Sequence, residues 1–485
     1  MKNIFKTILL SSVLVVAMTS CSDFLDPEQT NYATSEQIDA LSKSNPEALV
    51  TITDGMISGM YASLGDYQTN HDTFSLMSIG LAADLSNVDM VQMVNHWFFY
   101  DYQMDNRNYN YRRPSATWNC CYTLINKAND VINLIADDVT NESLKANLGQ
   151  ALAMRAFGHW LAINRFQQTY IDHENDPGVP IYVSPREGVS KSGRNTVQEV
   201  YDQINSDFEA SITLLEGYTR ANKGVVNKQV VEGLAARSYM MQANYTKAAA
   251  YAADALTTGT LESATALAAD EFDDITSSEW MWGRDVTSET TNMFASFQSH
   301  ISTVSAGYAG GVGVYKAIDK RLYESMDVND PRLSQFQIFT SYGDPYMYVN
   351  NKFGDAGSWL SDNPYMRVSE MYLIAVEAYL RDGNTSAATS LYNTYIAQRG
   401  GASVYPMSLD EVFHQKRLEL WGEGQILYDY LRLKKVIDRT YAGSNHLVKL
   451  LVQPGSWRLI YDIPKSEIEA NTDITLDDRN PDYTD

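Results

Sequence analysis

Cysteine is scarce in this 485-residue chain: three occur, and two of them, Cys120 and Cys121, are adjacent. Neighbouring cysteines rarely bridge each other, so no disulfide framework is implied. Basic residues are also few, 37 Lys and Arg against 60 Asp and Glu, for a net charge of −23. That balance speaks against nucleic acid or anionic lipid as a partner. Beyond the N-terminus no apolar run is long enough for a membrane-spanning helix. Catalytic signatures are missing as well. The seven histidines show no His-Glu-x-x-His spacing, and there is no Walker or Rossmann glycine motif and no Gly-x-Ser-x-Gly turn. Asp473, Asp477 and Asp478 lack the glycine and terminal glutamate of a calcium-binding EF-hand loop. Carboxylates are too numerous for one pair to stand out as glycosidase acids. No enzyme activity, cofactor or metal is therefore expected.

What is present begins with Lys2 and Lys6, an apolar run from Ile8 to Met18, and Thr19-Ser20 before Cys21, the layout of an export signal. A signal ending directly before cysteine resembles that of a bacterial lipoprotein, with Cys21 as the acylated first residue of the mature chain; Met18 stands where such signals usually carry leucine. Removing residues 1–20 takes away two lysines and no acids, leaving a net charge of −25. The mature chain is long and apolar enough to bury a large core.

Helical periodicity dominates the first half. Tyr122, Ile125, Ala128, Asn129 and Ile132 recur at spacings of three and four, with Cys120 and Cys121 as small packing residues on the same helix. A second helix is predicted over about 146–166, with Ala153, Phe157, Trp160 and Leu161. A third follows Thr196, with Glu199 completing a capping box. Residues 231–256 and 371–396 align at a constant offset of 140, pairing Ala235 with Ala375, Tyr239 with Tyr379, Asn244 with Asn384 and Ala248 with Ala388. Each reads as helix, tight turn, helix, the tetratricopeptide pattern, and one such unit cannot bury its own apolar face, so a stack is expected. Residues 259–365 differ, being rich in Gly, Ser, Thr, Asp and aromatics, with β-like pieces near 279–284 and 335–340. Of Trp280 and Trp282, at least one is expected to point into the core.

Two aromatic loops are the candidate ligand site. The first holds His96-Trp97-Phe98-Phe99-Tyr100 and Tyr102 with Arg107, Arg112 and Arg113; the second holds His300, Tyr308 and Tyr315 among glycines. The apolar C–H face of a sugar stacks on aromatic rings, while its hydroxyls bond to polar side chains. Trp97, Tyr100, Tyr102, His96, Arg107, His300 and Tyr308 are the predicted contacts, with Phe98 and Phe99 as loop anchors.

The later part of the chain holds Arg367 to Ile374 with Glu377-Ala378, Arg417-Leu418-Glu419-Leu420 with Glu423-Gly424, Asp429 to Arg432, Ile463-Pro464 with Glu467-Ile468, and Asn480-Pro481 with Tyr483. In these motifs the chain resembles the SusD/RagB nutrient-binding lipoproteins. Ile426 departs from the pattern, standing where the family often has arginine. The resemblance implies a mainly α fold, a tetratricopeptide-like helical-hairpin superhelix supporting a loop-rich region with short β-strands. It divides the chain into a signal peptide (1–20), an N-terminal helical region (21–258), a loop-rich insert (259–365) and a C-terminal region (366–485). It also implies glycan capture at the cell outer membrane, a lipid anchor at Cys21, and a SusC-like TonB-dependent transporter as partner. Peptide capture, a helical hydrolase and a tetratricopeptide assembly scaffold remain alternatives at this stage. The charged residues Glu419, Glu423, Asp429 and Arg432 are expected to pair with one another or cap helices rather than touch ligand.

Overall fold

The structure, a computed structural model, describes residues 45–66, 70–135, 139–183, 193–304, 306–339, 347–355, 357–403 and 406–482. The signal segment, Cys21 and Tyr483 lie outside them. Contacts gather Thr53–Asp485 into one unit; of the residues before it, 46–52 form the opening turns of α1 (Pro46–Ala62).

The predicted helices are present. After α2 (Ser75–Asp84) and the short α3 (Phe99–Tyr102) come α4 (Arg112–Ile132), α5 (Glu142–Phe166) and α6 (Val197–Leu214). On α4, Trp118, Tyr122, Ile125, Ala128 and Asn129 are buried, and Cys120 and Cys121 are buried, unbridged thiols. Asn141 caps α5 by accepting from the amides of Ser143 and Leu144, and nearly every α5 residue from Leu144 onward is buried. Buried on all sides, with polar Asn147, Gln150, Arg155, His159, Asn164 and Arg165 among its buried residues, α5 is the central rod of the domain. Thr196 and Glu199 form the expected reciprocal cap on α6.

The offset repeat corresponds to two helical hairpins. The first is α7 (Lys228–Met241) with α8 (Tyr245–Ala255). The second, after α9 (Ala264–Ala269), α10 (Phe297–Ile301) and α11 (Lys320–Glu324), is α12 (Val368–Arg381) with α13 (Thr385–Ala397). In both turns an asparagine caps the second helix and its amide donates to a tyrosine carbonyl, Asn244 to Tyr239 at 3.0 Å and Asn384 to Tyr379 at 2.8 Å. The residue before each asparagine is left-handed, Ala243 at φ 54° and Gly383 at φ 83°. Ala235, Ala375, Ala248 and Ala388 are fully buried, so the helices approach closely. The stack runs α4, α5, α6, α7, α8 and then α12, each packed on the next. It continues to α13 and to α14 (Leu409–Glu419), followed by α15 (Ile426–Arg432) and α16 (Lys465–Ala470).

The strands are short. β1 (Met90–Gln92), β3 (Lys316–Ile318), β5 (Val349–Asn350) and β4 (Phe336–Gln337) form one antiparallel sheet in the order β1-β3-β5-β4. β2 (Trp280–Arg284) pairs with β6 (Asn363–Arg367), and β7 (Ile437–Asp438) with β8 (Leu451–Val452). Register shifts within β2 interrupt its alternation, and Trp280, Met281 and Trp282 are all buried.

A buried charged knot ties β6 to the C-terminal helices. Arg367 donates to Glu279 at 2.6 Å, Glu419 at 3.0 Å and Glu423 at 2.7 Å, while Arg399 donates to Glu279 at 2.7 Å and Glu419 at 2.9 Å. Burial alone pushes the Glu419 carboxyl up, but Arg399 and Arg367 hold it well below the usual range. Glu423 and Gly424 sit in this knot for a steric reason too. Gly424, at φ 77°, lies so close to Gly80 of α2 that an added Cβ would sit 2.5 Å from its Cα. The charged motif residues are thus structural, as the sequence suggests. Ile426 is buried in an apolar cluster with Leu420, Leu427 and Ile460, where a charge would have no place.

Candidate functional site

Four segments that are distant in sequence bring aromatic rings to one patch. The first leaves β1, where Gln92 donates from Nε2 to the carbonyls of Val94 and Trp97, both at 3.0 Å, and so pins the turn that carries His96 and Trp97. Phe98 anchors this turn. Left-handed at φ 68° and buried, it packs edge-on against Phe74 and His300 beneath the Arg113 guanidinium. Anchoring leaves His96 exposed and Trp97 half-buried.

The second arm comes from the loop after α10. Ser299 accepts the amide of Ala309 at its carbonyl and that of Tyr308 at Oγ, 2.8 and 3.2 Å away, and fixes Tyr308 between His300, stacked at 5.0 Å, and His96, also at 5.0 Å. His71 from the third segment closes the group. Its Nδ1 lies 2.5 Å from the Tyr308 hydroxyl and its ring 5.8 Å from that of Trp97. Phe294, the fourth, stacks on His71 at 5.7 Å and is 41% exposed.

Polar groups frame these rings. Arg112 lies 5.5 Å from the centre of the Trp97 ring and is tied to Asp72 at 2.7 Å. Asp72 also receives Arg113 at 3.3 Å on the same oxygen, Oδ2, which the two arginines share. Under the patch, burial and the charges of Lys316 and Arg113 drive the His300 imidazole well below its ordinary range, and burial brings the Lys316 amine down to about 7. His96 is lowered by partial burial and by Lys316. The arrangement presents a stacking surface with Arg112 as the cation at its edge. It is suited to holding an uncharged ring and its hydroxyls.

Residues 239–483 match the model of the SusD family, and residues 23–240 match a SusD-like family described as starch-binding and associating with the outer membrane. The chain belongs to the SusD family. Among solved structures it is similar to a SusD-like carbohydrate binding protein from Bacteroides vulgatus, at 23% identity over 90% of this chain and 98% of that one, with a TM-score of 0.79. It is also similar to surface glycan-binding protein A from Bacteroides thetaiotaomicron in complex with laminarihexaose, at 17% identity over 87% and 97% of the two chains, TM-score 0.67. A third likeness is to a SusD superfamily protein from Bacteroides thetaiotaomicron, at 22% identity over 89% and 100%, TM-score 0.77. No curated protein matches the chain. At these identities the solved structures establish the SusD fold. Among the described residues no helix is long and apolar enough to cross a membrane.

In this SusD-family chain the predicted contacts separate into two groups. His96, Trp97 and Tyr308 converge on the patch. His300 joins it from below, fully buried, with Nε2 on the His71 carbonyl at 2.7 Å. Tyr100 is 60% exposed on α3, but its ring stacks on no member of the group. Tyr102 and Arg107 are corrections. Tyr102 is buried, its hydroxyl engaged with His446 at 2.9 Å and the Leu447 amide at 3.1 Å. Arg107 is buried as well, donating to Ser86 Oγ at 2.8 Å and to the Arg458 carbonyl at 3.2 Å. Tyr315 is also buried, against Phe339. His71 and Phe294 escape the sequence reading. The exposed pair Met293-Phe294 inside a polar loop was the available signal for the second; His71 stands in a polar stretch that offers none.

Proposed function

We propose that this protein captures a glycan at the outer-membrane surface without cleaving it and passes it to a SusC-like TonB-dependent transporter, held at the membrane by lipid on Cys21. The observation that carries this reading is the convergence of Trp97, Tyr308, His71 and Phe294 on one patch. Phe294 stacks on His71 at 13°, while Trp97 and Tyr308 are tilted at 44° to 71° to each other and to their neighbours in the group, so the rings offer C–H stacking faces in more than one direction to a bent sugar chain. The relatives add support of a weaker kind, since one was solved with laminarihexaose and another is described as a laminarin binding SusD-like protein.

Parallel arrays of oligosaccharides and of peptides test the substrate class on the mature protein. Binding confined to sugars is expected, with no shortened products after prolonged incubation; binding confined to peptides would replace the glycan reading by peptide capture. Gentle detergent extraction tests the partner: recovery with a large β-barrel is expected, and recovery alone under several conditions counts against delivery to a transporter.

A further inference from the structure

Tryptophan serves two purposes in this chain. Of the eight, Trp118, Trp160, Trp280, Trp282 and Trp421 are buried, and Trp457 packs on the apolar cluster that holds Leu420 and Ile460. Trp97 and Trp359 are left half-buried. Trp97 belongs to the patch, and Trp359 stands beside it. A Cβ added to Gly307, the residue before Tyr308, would lie 2.8 Å from Cη2 of the Trp359 indole, and the hydroxyl of Thr291, three residues before Phe294, donates to the Trp359 carbonyl.

The backbone of Trp359 is left-handed at φ 62°, a conformation that bulky side chains rarely adopt. Its surroundings hold it there. The buried Asp355 carboxylate accepts the amides of Gly357 at 2.7 Å and Trp359 at 3.2 Å on one oxygen, and the Ser361 hydroxyl at 2.9 Å on the other. The ring itself returns little to the fold: among the described residues no aromatic ring stacks on it, no cation lies over it, and its N–H bonds nothing. That N–H is open to water, and the indole borders a cavity of about 480 Å³. Strain that the neighbourhood over-determines, at a side chain with few partners of its own, is the mark of a residue held ready for a ligand. An indole offers a sugar both a broad face for its C–H groups and a donor for a hydroxyl.

Resting on the glycan-capture reading, we infer that Trp359 is a second stacking platform that carries the glycan on past Tyr308, so that the site reads chain length. Short oligosaccharides lie on the Trp97–Tyr308 patch alone, and longer ones also cover the Trp359 ring. A Trp359 that only propped Gly307 would act through Tyr308 and affect chains of every length alike.

The test is calorimetric titration of the mature protein, as wild type, Trp97→Ala, Trp359→Gly, Trp359→Asn and Trp359→Phe, with tri- and hexasaccharides of β-1,3-glucan, β-1,4-xylan, β-1,4-mannan and α-1,4-glucan. Glycine and asparagine accept the left-handed backbone, so both variants remove the indole without adding strain, and their ligand-free melting temperatures are expected near that of wild type. For the glycan that wild type binds, each should lose affinity for the hexasaccharide about five- to tenfold and bind the trisaccharide within about twofold of wild type, while Trp97→Ala weakens both. Trp359→Phe, which keeps a ring, should hold most of the hexasaccharide affinity. Mass-spectrometric mapping of N-bromosuccinimide oxidation reads the contact directly in wild type: hexasaccharide should protect Trp97 and Trp359, and trisaccharide Trp97 alone. Where the trisaccharide binds too weakly to titrate, protection of Trp359 by the hexasaccharide decides. Equal loss for both lengths would make Trp359 a prop for Tyr308 and overturn the platform. So would unchanged hexasaccharide affinity in the glycine and asparagine variants, or Trp359 oxidised as fast with hexasaccharide as without it; capture on the patch then stands if Trp97→Ala is weakened. If wild type binds none of the chains, platform and capture reading fall together.

Discussion

Removing the indole of Trp97 takes away a stacking face and little of the core, since the residue is half-buried at the surface of a turn held by Gln92 and Phe98. Trp97→Ala should weaken binding of the cognate oligosaccharide by about 1–2 kcal/mol, roughly five- to thirtyfold, with a melting temperature near that of wild type. Phe98→Ala is the contrast: truncating a buried ring should cost about 3–5 kcal/mol of stability and loosen the patch as well. Calorimetry beside melting curves distinguishes the two, and a large stability loss in Trp97→Ala would make it an anchor rather than a contact. Lys316 gives a pH-dependent case. Its Nζ is buried with one bond, to the Val314 carbonyl at 3.1 Å, and burial lowers its pKa to about 7. Between pH 7 and the ordinary lysine value the unfolded chain binds the extra proton, so this group's contribution to stability rises with pH across that window. Lys316→Met should therefore be the more stable protein at pH 7, by a few kcal/mol, with the difference shrinking toward pH 10 in urea titrations. A constant difference across that range would remove the buried amine as its cause. The separation of Trp97 from Arg107 was not legible in the sequence. Both lie in one aromatic and basic stretch, but the acceptor that buries Arg107, the Arg458 carbonyl, comes from 351 residues away.

The two hairpin turns offer a matched pair at the scale of elements. Gly383 is left-handed at φ 83° with open space where a Cβ would stand, so Gly383→Ala carries only the conformational penalty, about 1 kcal/mol. Ala243 already bears that penalty at φ 54° in the equivalent turn, and Ala243→Gly should recover a similar amount. Denaturant titration reads both, and a neutral Gly383→Ala would mean the turn relaxes to another conformation. These hairpins were legible because alanines at fixed intervals and a capping asparagine are local signals, repeated at a constant offset. The same holds for the capping box at Thr196. The expectation that at least one of Trp280 and Trp282 points into the core holds, but the burial of both together with Met281 was not legible, because the register shifts of β2 arise from pairing with β6, some eighty residues later.

Over the whole molecule, the family motifs prove to be the interior ties of the fold. Arg367, Glu419, Glu423 and Gly424 hold β6 and the C-terminal helices together, which accounts for how much of the architecture they disclose and how little of the ligand site. The candidate site depends on the meeting of segments around residues 71, 97, 294 and 308, a product of tertiary structure. On the proposed lipid anchor, Cys21→Ala should move the protein from the membrane fraction to the soluble fraction in cells lacking the transporter, since acyl chains would supply the membrane affinity. Quantitative retention would contradict a lipid anchor at that residue. The central claim is capture without cleavage. Its most direct measurement is titration of the mature protein with the oligosaccharide selected by the array, followed by chromatography of the recovered sugar. Saturable heat of binding with the sugar returned at full length is the expected result; no heat, or shortened products, would contradict it.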